Sequence, residues 1–397
     1  MSLTNTPRAN QLHIGIFGKR NSGKSSLINA LTGQSTAIVS DVAGTTADPV
    51  YKTMEIYGIG PCVFIDTAGF DDIGELGQLR VEKTRKAAER TDIALMVFSD
   101  QDIKVETEWA EALKKQNTPV IAIINKADLL ENTDEIINTI EKNSGLKPIV
   151  VSAKERTGIE KIRDEIIRLL PEDYEVKSIT GDLVGEGDTV LLVMPQDIQA
   201  PKGRLILPQV QTLRDLLDKK CIVLSATTDK LDDALASLAK PPKLIITDSQ
   251  VFKTVYDKKP SESKLTSFSV LFANYKGDLR YYVDSANAIE RLTEKSKVLI
   301  AEACTHAPLA EDIGREKLPR MLRKKVGDGL TVEVVSGPDF PEDVSSYDLI
   351  IQCGACMFNR KYVLTRIERA RTQGVPMSNY GVVIAYLSGI LDKINMD

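Results

Sequence analysis

A glycine-rich segment near the N-terminus, GKRNSGKS over residues 18–25, constrains the fold more than any other part of the sequence. It follows LHIGIF, an apolar run typical of a buried strand, and it precedes SSLINALTG, which has a helical pattern. The spacing G-x-x-x-x-G-K-S between a strand and a helix is typical of a phosphate-binding loop, where backbone N–H groups and the helix N-terminus surround phosphate oxygens. The sequence therefore predicts a nucleotide-binding α/β domain here.

Two side chains of this loop have specific expected roles. Lys24 is expected to reach the β- and γ-phosphates, and the hydroxyl of Ser25 is expected to bind Mg²⁺. The remaining residues that we expect to surround the phosphates are Gly18, Lys19, Arg20, Asn21, Ser22, Gly23 and Ser26.

Two further segments suit the γ-phosphate and its metal. One of them ends a predicted strand and comprises Asp66, Thr67, Ala68 and Gly69. An aspartate at that position can hold Mg²⁺ through water, and the amide of Gly69 can contact the γ-phosphate. The other lies in a polar loop, where we expect Thr46 rather than Thr45 to bind Mg²⁺ when the γ-phosphate is present.

Two later segments suit a guanine base. The first follows the apolar run VIAII and provides Asn125, Lys126 and Asp128; the second follows PIVV and provides Ser152, Ala153 and Lys154. A carboxylate at Asp128 can accept both the N1–H and the N2–H₂ donors of guanine, and adenine does not supply those two donors together. The segment around Ser152 suits the O6 edge of the base.

These five segments resemble those of the translation-factor-like GTPases, in the branch that contains Era and MnmE, over residues 11–170. The resemblance implies GTP hydrolysis, with GDP as the bound product and Mg²⁺ as cofactor. It assigns catalysis to Lys24, Ser25, Thr46, Asp66, Gly69 and Asn21.

The position after Gly69 departs from Ras-type enzymes, which place a water-orienting glutamine there. Phe70 occupies that position and cannot orient water. Asn21 matches the asparagine of the potassium-activated members of this branch, which implies that K⁺ takes the place of an arginine finger. Slow intrinsic turnover that depends on a partner or a cation is expected.

The chain has 397 residues, too many for one hydrophobic core, and its strand-like runs alternate with helical stretches. We therefore predict an α/β protein of three domains. The first, over residues 1–172, is a Ras-like P-loop domain with a doubly wound, mainly parallel sheet. Two smaller α/β parallel-sheet domains follow, over residues 177–264 and 265–397, and DKKPSESK (257–264) is interpreted as a linker between them.

Bulk properties narrow the class of protein. The net charge is −5, which disfavours a nucleic-acid partner. The N-terminus lacks an apolar signal region, and no apolar run is long enough to span a bilayer, so a cytoplasmic protein without membrane contact is expected. Cysteines in that compartment are expected to be reduced, and clustered ones indicate a metal or redox site.

Three cysteines form the second candidate site. Cys304 follows the predicted strand KVLIAEA, and Cys353 and Cys356 follow the predicted strand DLIIQ. Since the carboxyl ends of parallel strands share one edge of a sheet, the three thiols are expected to converge there. Three thiolates suit Zn²⁺ or an iron–sulfur cluster, and either His306 or Glu311 is a candidate for a labile fourth ligand.

Other interpretations of these residues stay open on the sequence alone. The Cys353/Cys356 pair also fits a thioredoxin-like redox motif, and the set with His306 also fits a structural zinc site. Cys62 and Cys221 are predicted to lie in the core, and His13, expected to precede a strand, is predicted to be structural or to lie at the surface.

The order of GTPase segments, C-x-H and then C-x-x-C resembles the HydF family of [FeFe]-hydrogenase maturation GTPases, over the whole chain. The resemblance implies a dimerisation domain over 177–264 and a domain over 265–397 that carries a [4Fe–4S] cluster. It also implies a homodimer that acts as scaffold and carrier for a di-iron precursor, received from the radical-SAM maturases HydE and HydG and delivered to apo-[FeFe]-hydrogenase. An exposed edge strand, VLLVM, is a candidate for pairing between subunits.

The family pattern usually has a histidine immediately before the C-x-x-C motif, and this chain has Gln352. Glutamine is a poor iron ligand, so the departure favours three cysteines with one labile position. Two alternatives remain: an RNA- or ribosome-associated GTPase, and a GTPase with a purely structural zinc site.

Overall fold

The computed structural model describes residues 7–32, 49–56, 59–70, 75–130, 132–170, 178–195, 205–303 and 312–395. The chain divides into two compact units, Met1–Tyr174 and Glu175–Asp397. The predicted α/β class is confirmed, because each unit combines helices with mainly parallel sheets. The three predicted domain ranges stay a prediction.

The first unit is built on a six-stranded sheet within the described residues, with strand order β2-β3-β1-β4-β5-β6. The strands are β1 (Leu12–Gly18), β2 (Val50–Ile56), β3 (Gly60–Asp66), β4 (Ile93–Phe98), β5 (Val120–Ile124) and β6 (Ile149–Val150). The helices are α1 (Lys24–Thr32), α2 (Glu75–Ala88), α3 (Lys104–Lys115), α4 (Thr133–Ser144) and α5 (Ile159–Arg168). All pairings are parallel except that of β2 with β3.

The burial of each strand explains its place in this sheet. Every residue of β1 and of β4 is buried, as expected for strands covered by helices on both faces. The antiparallel edge strand β2 alternates between exposed and half-buried residues, and the sequence analysis missed it for that reason. The phosphate loop therefore leaves a fully buried strand at the middle of the sheet.

The second sheet, in the second unit, has four described strands in the order β10-β9-β7-β8. They are β7 (Thr189–Val193), β8 (Ile222–Ala226), β9 (Leu244–Thr247) and β10 (Lys264–Ser267). The helices that accompany them are α6 (Leu207–Asp218), α7 (Leu231–Ala236), α8 (Phe252–Lys258) and α9 (Phe268–Lys276).

Two sequence interpretations are wrong in this region. The run VLLVM is not an edge strand, because β7 lies between β9 and β8, and its residues from Val190 to Val193 are buried. The segment 257–264 is not a linker throughout, since α8 continues to Lys258 and Lys264 already pairs with Leu244 of β9. Both errors arose because local composition does not reveal which strands become neighbours.

The third sheet has four described strands, all parallel, in the order β12-β11-β13-β14. They are β11 (Lys297–Glu302), β12 (Thr331–Ser336), β13 (Leu349–Gln352) and β14 (Met377–Asn379). The helices are α10 (Leu279–Ala286), α11 (Leu318–Val326), α12 (Arg360–Thr372) and α13 (Tyr380–Leu387). Three of these strands match the sequence prediction, and the short β14 was missed.

The second and third sheets share one hydrophobic core inside the second unit. Leu191 and Ile245 of the second sheet belong to the same buried cluster as Leu299 and Ile350 of the third sheet. Helix α9 contributes Val270 and Ala273 to this cluster. The end of α9 thus lies against the part of the third sheet that carries the cysteines.

Among the described residues, no helix combines the length and the apolarity that a membrane span needs.

Candidate functional site: the nucleotide site and the cysteine loop

The phosphate loop connects the end of β1 to the start of α1, as the sequence predicts. Gly23 has φ +88°, and a Cβ atom there would lie 2.3 Å from Nδ2 of Asn125. Gly18 is equally restricted, since a Cβ there would lie 2.6 Å from the carbonyl oxygen of Val97. Only glycine fits these close approaches, so the two glycines of the motif are required by the surrounding backbone and side chains.

The two residues expected to contact phosphate and magnesium lie at the carboxyl edge of the sheet. Nζ of Lys24 donates hydrogen bonds to the carbonyl oxygens of Gly18, at 3.0 Å, and of Lys19, at 2.7 Å. The hydroxyl of Ser25 donates to Oδ2 of Asp66 at 2.7 Å. Burial raises the pKa of Asp66, while the Ser25 hydrogen bond and the charge of Lys24 act in the opposite direction. A hydroxyl and a carboxylate are thus adjacent, as the chemistry of Mg²⁺ requires.

The asparagine of the guanine segment links three of the predicted motifs. Nδ2 of Asn125 donates to the carbonyl oxygen of Ser22 at 3.0 Å, and Oδ1 of Asn125 accepts from the amide of Ala153 at 3.1 Å. Asn125 is buried, so these bonds are shielded from water. The phosphate loop and both guanine segments are therefore held together by one side chain.

The carboxylate of Asp128, which is predicted to bind guanine, is also held in place. The hydroxyl of Ser152 donates to Oδ1 of Asp128 at 2.6 Å, and this bond is the main reason that the pKa of Asp128 is lowered. Nζ of Lys154 lies 4.0 Å from the other oxygen of Asp128. Lys126, two positions before Asp128, has φ +61°. Asp128 is therefore ionised at neutral pH and ready to accept hydrogen bonds.

Phe70 packs inward and takes no part in a polar site. Its ring stacks on Trp109 with centroids 5.2 Å apart and an interplanar angle of 12°. Trp109 also stacks against Phe17 of β1, at 6.2 Å. An apolar residue after Gly69 is thus explained by packing against α3, which no motif in the sequence revealed.

A buried acidic residue lies beside the phosphate loop and was also missed. Nζ of Lys19 lies 3.1 Å from Oδ2 of Asp102, 3.2 Å from Oδ1 of Asp100 and 3.7 Å from Oε2 of Glu106. Glu106 is 1% exposed, and burial raises its pKa to about 7. Lys19 therefore anchors the loop to α3 and to the segment before it.

The described residues thus bring together most of the predicted nucleotide site. Thr67, one of its members, also donates to the carbonyl oxygen of Ile16 at 2.6 Å, which fixes the end of β3 against β1. Thr45 and Thr46 lie outside the described residues, so their predicted role stays a prediction.

The cysteine loop follows β13, next to the end of β11. These two strands are parallel neighbours, with Ala301 opposite Gln352, as the sequence predicts. Sγ of Cys353 accepts a hydrogen bond from the amide of Ala303 at 3.1 Å and another from the amide of Ala355 at 3.4 Å. Burial raises the pKa of Cys353 to about 11, and the two amides oppose that effect. Backbone amides therefore favour a charged sulfur here.

Lys276, the last residue of α9, is buried directly against this loop. It is 1% exposed, and its Nζ donates to the carbonyl oxygens of Ala355 and Cys356, each at 3.3 Å, and of Phe358, at 2.7 Å. Burial lowers the pKa of Lys276 to about 8, and the thiols of Cys356 and Cys353 act in the opposite direction. The sequence analysis missed this residue, because Lys276 is 77 positions or more from the motif it contacts.

A second buried cation, Arg366 of α12, contacts the same edge. Its guanidinium carbon lies 4.5 Å from the ring centroid of Phe358 and 4.8 Å from that of Phe340. Nη2 of Arg366 donates to the carbonyl oxygen of Gly337, which follows β12, at 2.6 Å. Its charge acts on Cys353 to lower the pKa of that thiol.

The other predicted members of this site cannot be placed. Cys304, His306 and Glu311 lie outside the described residues. Within the described ranges, no group of three or more His, Cys, Asp or Glu side chains could hold a metal ion. Gln352, in the position of the usual histidine, is buried, and its Oε1 has no hydrogen-bond partner among the residues that the structure describes.

The prediction that Cys62 and Cys221 lie in the core is confirmed, and of the two alternatives for His13 the structure excludes the surface. Cys62 and Cys221 are buried, and burial raises the pKa of each thiol, that of Cys62 to about 12. His13 is buried in β1, with Nδ1 2.9 Å from the carbonyl oxygen of Gln11. These residues have structural roles.

Three family models match successive parts of the chain. Residues 13–126 match a model described as 50S ribosome-binding GTPase. Residues 179–277 match the hydrogen maturase F dimerization domain, and residues 280–395 match the hydrogen maturase F tetramerization domain. The two maturase models together cover more than half of the 397 residues.

Characterised relatives match the first unit. The tRNA modification GTPase MnmE of Endomicrobium trichonymphae is 38% identical over 168 residues, which are 40% of this chain and 35% of that protein. GTPase Der of Wolinella succinogenes is 35% identical over 173 residues, 40% of this chain and 36% of that protein. The chain thus spans about a third of the length of these relatives.

Among solved structures, Era in complex with MgGDPNP and a 16S ribosomal RNA fragment matches at 19% identity and a TM-score of 0.37. The match covers 57% of this chain and 97% of that one. The family models, which span all three sheets, carry the assignment. The chain belongs to the hydrogen maturase F (HydF) family, and its N-terminal domain is a GTPase domain that is similar to the one in MnmE.

Proposed function

We propose that the chain is a GTP-hydrolysing scaffold and carrier in the maturation of [FeFe]-hydrogenase. In this proposal the first unit binds and hydrolyses GTP with Mg²⁺. The second unit holds a [4Fe–4S] cluster through Cys304, Cys353 and Cys356 and carries a di-iron precursor as cargo. The family membership supports the maturation context, and the residues of each site support its share of the work.

The nucleotide part is supported by the preassembled polar groups of the first unit. Lys24 and the loop amides would hold the phosphates, and the adjacent oxygens of Ser25 and Asp66 fit Mg²⁺, which would neutralise charge on the β- and γ-phosphates. Asp128, ionised and held by Ser152, would select guanine. Thr46 and the amide of Gly69 would complete the contacts to the γ-phosphate.

Phe70 has no side-chain group that could orient the attacking water, so another group must orient it. Its ring is stacked on Trp109, so no group at this position supplies a hydrogen bond to water. Asn21, exposed and with φ +59°, lies in the phosphate loop at the position where K⁺-activated relatives have an asparagine. We therefore include a K⁺ requirement, with Asn21 as a ligand, in the proposal.

The proposed binding of a cluster by the three cysteines is supported above all by one hydrogen bond. The amide of Ala303 donates to Sγ of Cys353, and Cys304 is the next residue in the chain after Ala303. Two amide donors on one sulfur and two buried cations nearby suit an anionic iron–sulfur centre. When bound, a [4Fe–4S] cluster with three cysteine ligands supplies one iron with an exchangeable fourth position. His306 or Glu311 would occupy that position.

Nucleotide state is proposed to act on partner docking. The loops at Thr45–Thr46 and after Phe70 would change with the γ-phosphate, as in other GTPase switches. Apo-[FeFe]-hydrogenase and the maturases HydE and HydG are the partners that the family implies. Equal affinity for apo-hydrogenase with a GTP analogue and with GDP would refute this coupling. A dimer or a higher oligomer fits the names of both matching domains.

Anaerobic reconstitution with ferrous iron and sulfide tests the function. The wild-type chain should bind about four irons, the content of a [4Fe–4S] cluster, and develop broad charge-transfer absorption. Cys353→Ala, Cys356→Ala and Cys304→Ala should each lose most of both, and Cys221→Ala is the matched control, since Cys221 is buried elsewhere in the same unit. Tight zinc binding without iron uptake would instead support a structural zinc site.

A further inference from the structure

We propose that Lys276 and Arg366 form a cationic cradle under the cysteine loop, which positions the loop and balances the negative charge of the iron–sulfur centre. This inference rests on the proposed cluster function and adds two residues to it. Neither belongs to the C-x-H or C-x-x-C motif, and they come from different helices, α9 and α12.

The hydrogen bonds of Lys276 support the proposal that it positions the cysteine loop. Its three hydrogen bonds all go to backbone oxygens of a four-residue stretch of the loop, those of residues 355, 356 and 358. A three-donor ammonium group can satisfy three carbonyls that would otherwise point into a buried space. Ala355, in the middle of the loop, has φ +49°, a left-handed conformation that L residues rarely adopt and that needs such support.

The charges around Lys276 support the proposal that it balances the negative charge of the iron–sulfur centre. A buried ammonium group is costly unless a negative charge lies close to it. Among the described residues the charges that act on Lys276 come from the thiols of Cys356 and Cys353, and no carboxylate contributes. As thiolates bound to iron, the cysteine sulfurs and the centre that they hold would thus supply the counter-charge of this cation.

Arg366 adds a second charge at the same edge. It is 1% exposed and lies between the aromatic rings of Phe340, Phe358 and Tyr362, which hold the guanidinium in a fixed orientation. Phe358 follows Cys356 by two residues and also accepts, through its carbonyl oxygen, a hydrogen bond from Lys276. Both cations therefore contact one short segment. Both favour an anionic group, over a cationic or neutral one, at the site that the cysteines form.

The test is the reduction potential of the reconstituted cluster. Because reduction adds negative charge, loss of a buried cation nearby should make the potential more negative. Lys276→Met, reconstituted with ferrous iron and sulfide, should change the ratio of oxidised to reduced cluster at a fixed potential by tenfold or more, which is about 59 mV for one electron. Lys259→Met is the matched control, because Nζ of Lys259 also donates to two backbone oxygens, those of Pro260 and Ser263, away from the cysteines.

The outcomes of this experiment separate a failure of the cradle from a failure of the proposed function. If Lys276→Met does not fold, the neutral Lys276→Gln, which keeps an N–H donor, should show the same shift. An unchanged potential and unchanged electron paramagnetic resonance spectrum in the folded variant, with normal iron content in wild type, would overturn the cradle and leave the proposed function intact. Absence of iron uptake by the wild-type chain would overturn both.

Discussion

The phosphate loop and the cysteine loop are built at equivalent places and held by different means. Each follows a buried strand at the carboxyl edge of a parallel sheet, where loops from neighbouring strands meet. The nucleotide site is held by hydrogen bonds between motif residues, such as Ser25 with Asp66 and Asn125 with Ser22. The cysteine loop is held from outside its motif, by Lys276 and Arg366.

The charges buried beside the two loops also have opposite signs. Glu106, an acid, lies beside Lys19 of the phosphate loop, and two cations lie beside the cysteine loop. The phosphate loop carries its own lysines for an anionic ligand. The cysteine loop has no basic residue of its own from 353 to 358, so its positive charge comes from α9, distant in sequence, and from α12, which begins two residues after the loop.

The largest expected effect concerns the base-reading carboxylate, which should be independent of the cysteine loop. Asp128→Asn should lower the affinity for GTP by roughly 1,000-fold, because two charged hydrogen bonds to guanine are lost. Affinity for xanthosine triphosphate should rise, since the new amide can donate to the O2 carbonyl of xanthine. Competition with a fluorescent nucleotide measures both.

A control defines what this experiment can show. Asp134→Asn, an exposed acid in α4, should leave both affinities unchanged. Iron uptake by Asp128→Asn should equal that of wild type. Retained GTP selectivity in Asp128→Asn would contradict the assignment of this residue.

A pair of glycines sharpens the comparison between the loops. Gly23→Ala places a methyl group 2.3 Å from Nδ2 of Asn125 at φ +88°, and should weaken nucleotide binding roughly 10- to 100-fold through strain. Gly354→Ala, in the cysteine loop, meets nothing within 4 Å and should take up iron normally. Titration calorimetry and iron assays measure the two outcomes; equal tolerance of both changes would mean that the phosphate loop is not tightly constrained.

The smallest expected effect is a pH dependence of the first unit. The pKa of Glu106 is about 7 in the folded chain against 4.5 for the ordinary value, so the folded chain holds this proton more tightly. The stabilisation that this bound proton gives the folded chain is fully present below pH 4.5 and is lost as pH rises through 7. Between pH 5.5 and 7.5 the free energy of unfolding should fall by on the order of 1–2 kcal/mol more in wild type than in Glu106→Gln.

Fluorescence of Trp109, the single tryptophan of the chain, follows unfolding of this unit in urea. Glu108→Gln, on the exposed side of α3, is the matched control and should behave as wild type. The same pH dependence in Glu106→Gln as in wild type would assign the effect to other groups.

The sequence predicted those parts of the molecule that depend on contiguous motifs and on strong apolar runs. The strands β1, β4, β5, β7, β11 and β13 fall in this class, and so does the place of the phosphate loop between β1 and α1. Strands β2, β10 and β14 were missed because their residues are partly polar or the runs are short. Strand order, which places β7 in the interior, depends on pairings that local composition does not encode.

Single residues were missed for a related reason. Lys276, Arg366 and Glu106 resemble surface residues in the sequence, because charged side chains on helices are usually solvated. Their burial depends on which loop packs over the helix, and that is a property of the folded chain. Trp109 likewise explains Phe70 only once α3 is placed against β1.

We propose that one iron–sulfur centre is bound where β11 and β13 end. An anaerobic crystal structure of the reconstituted chain, with anomalous scattering recorded at the iron edge, tests it most directly. We expect iron within bonding distance of Sγ of Cys304, Cys353 and Cys356, with Nζ of Lys276 still donating to the carbonyl oxygens of the loop. Iron bound elsewhere, or Sγ of Cys304 directed away from the other two sulfurs, would contradict it.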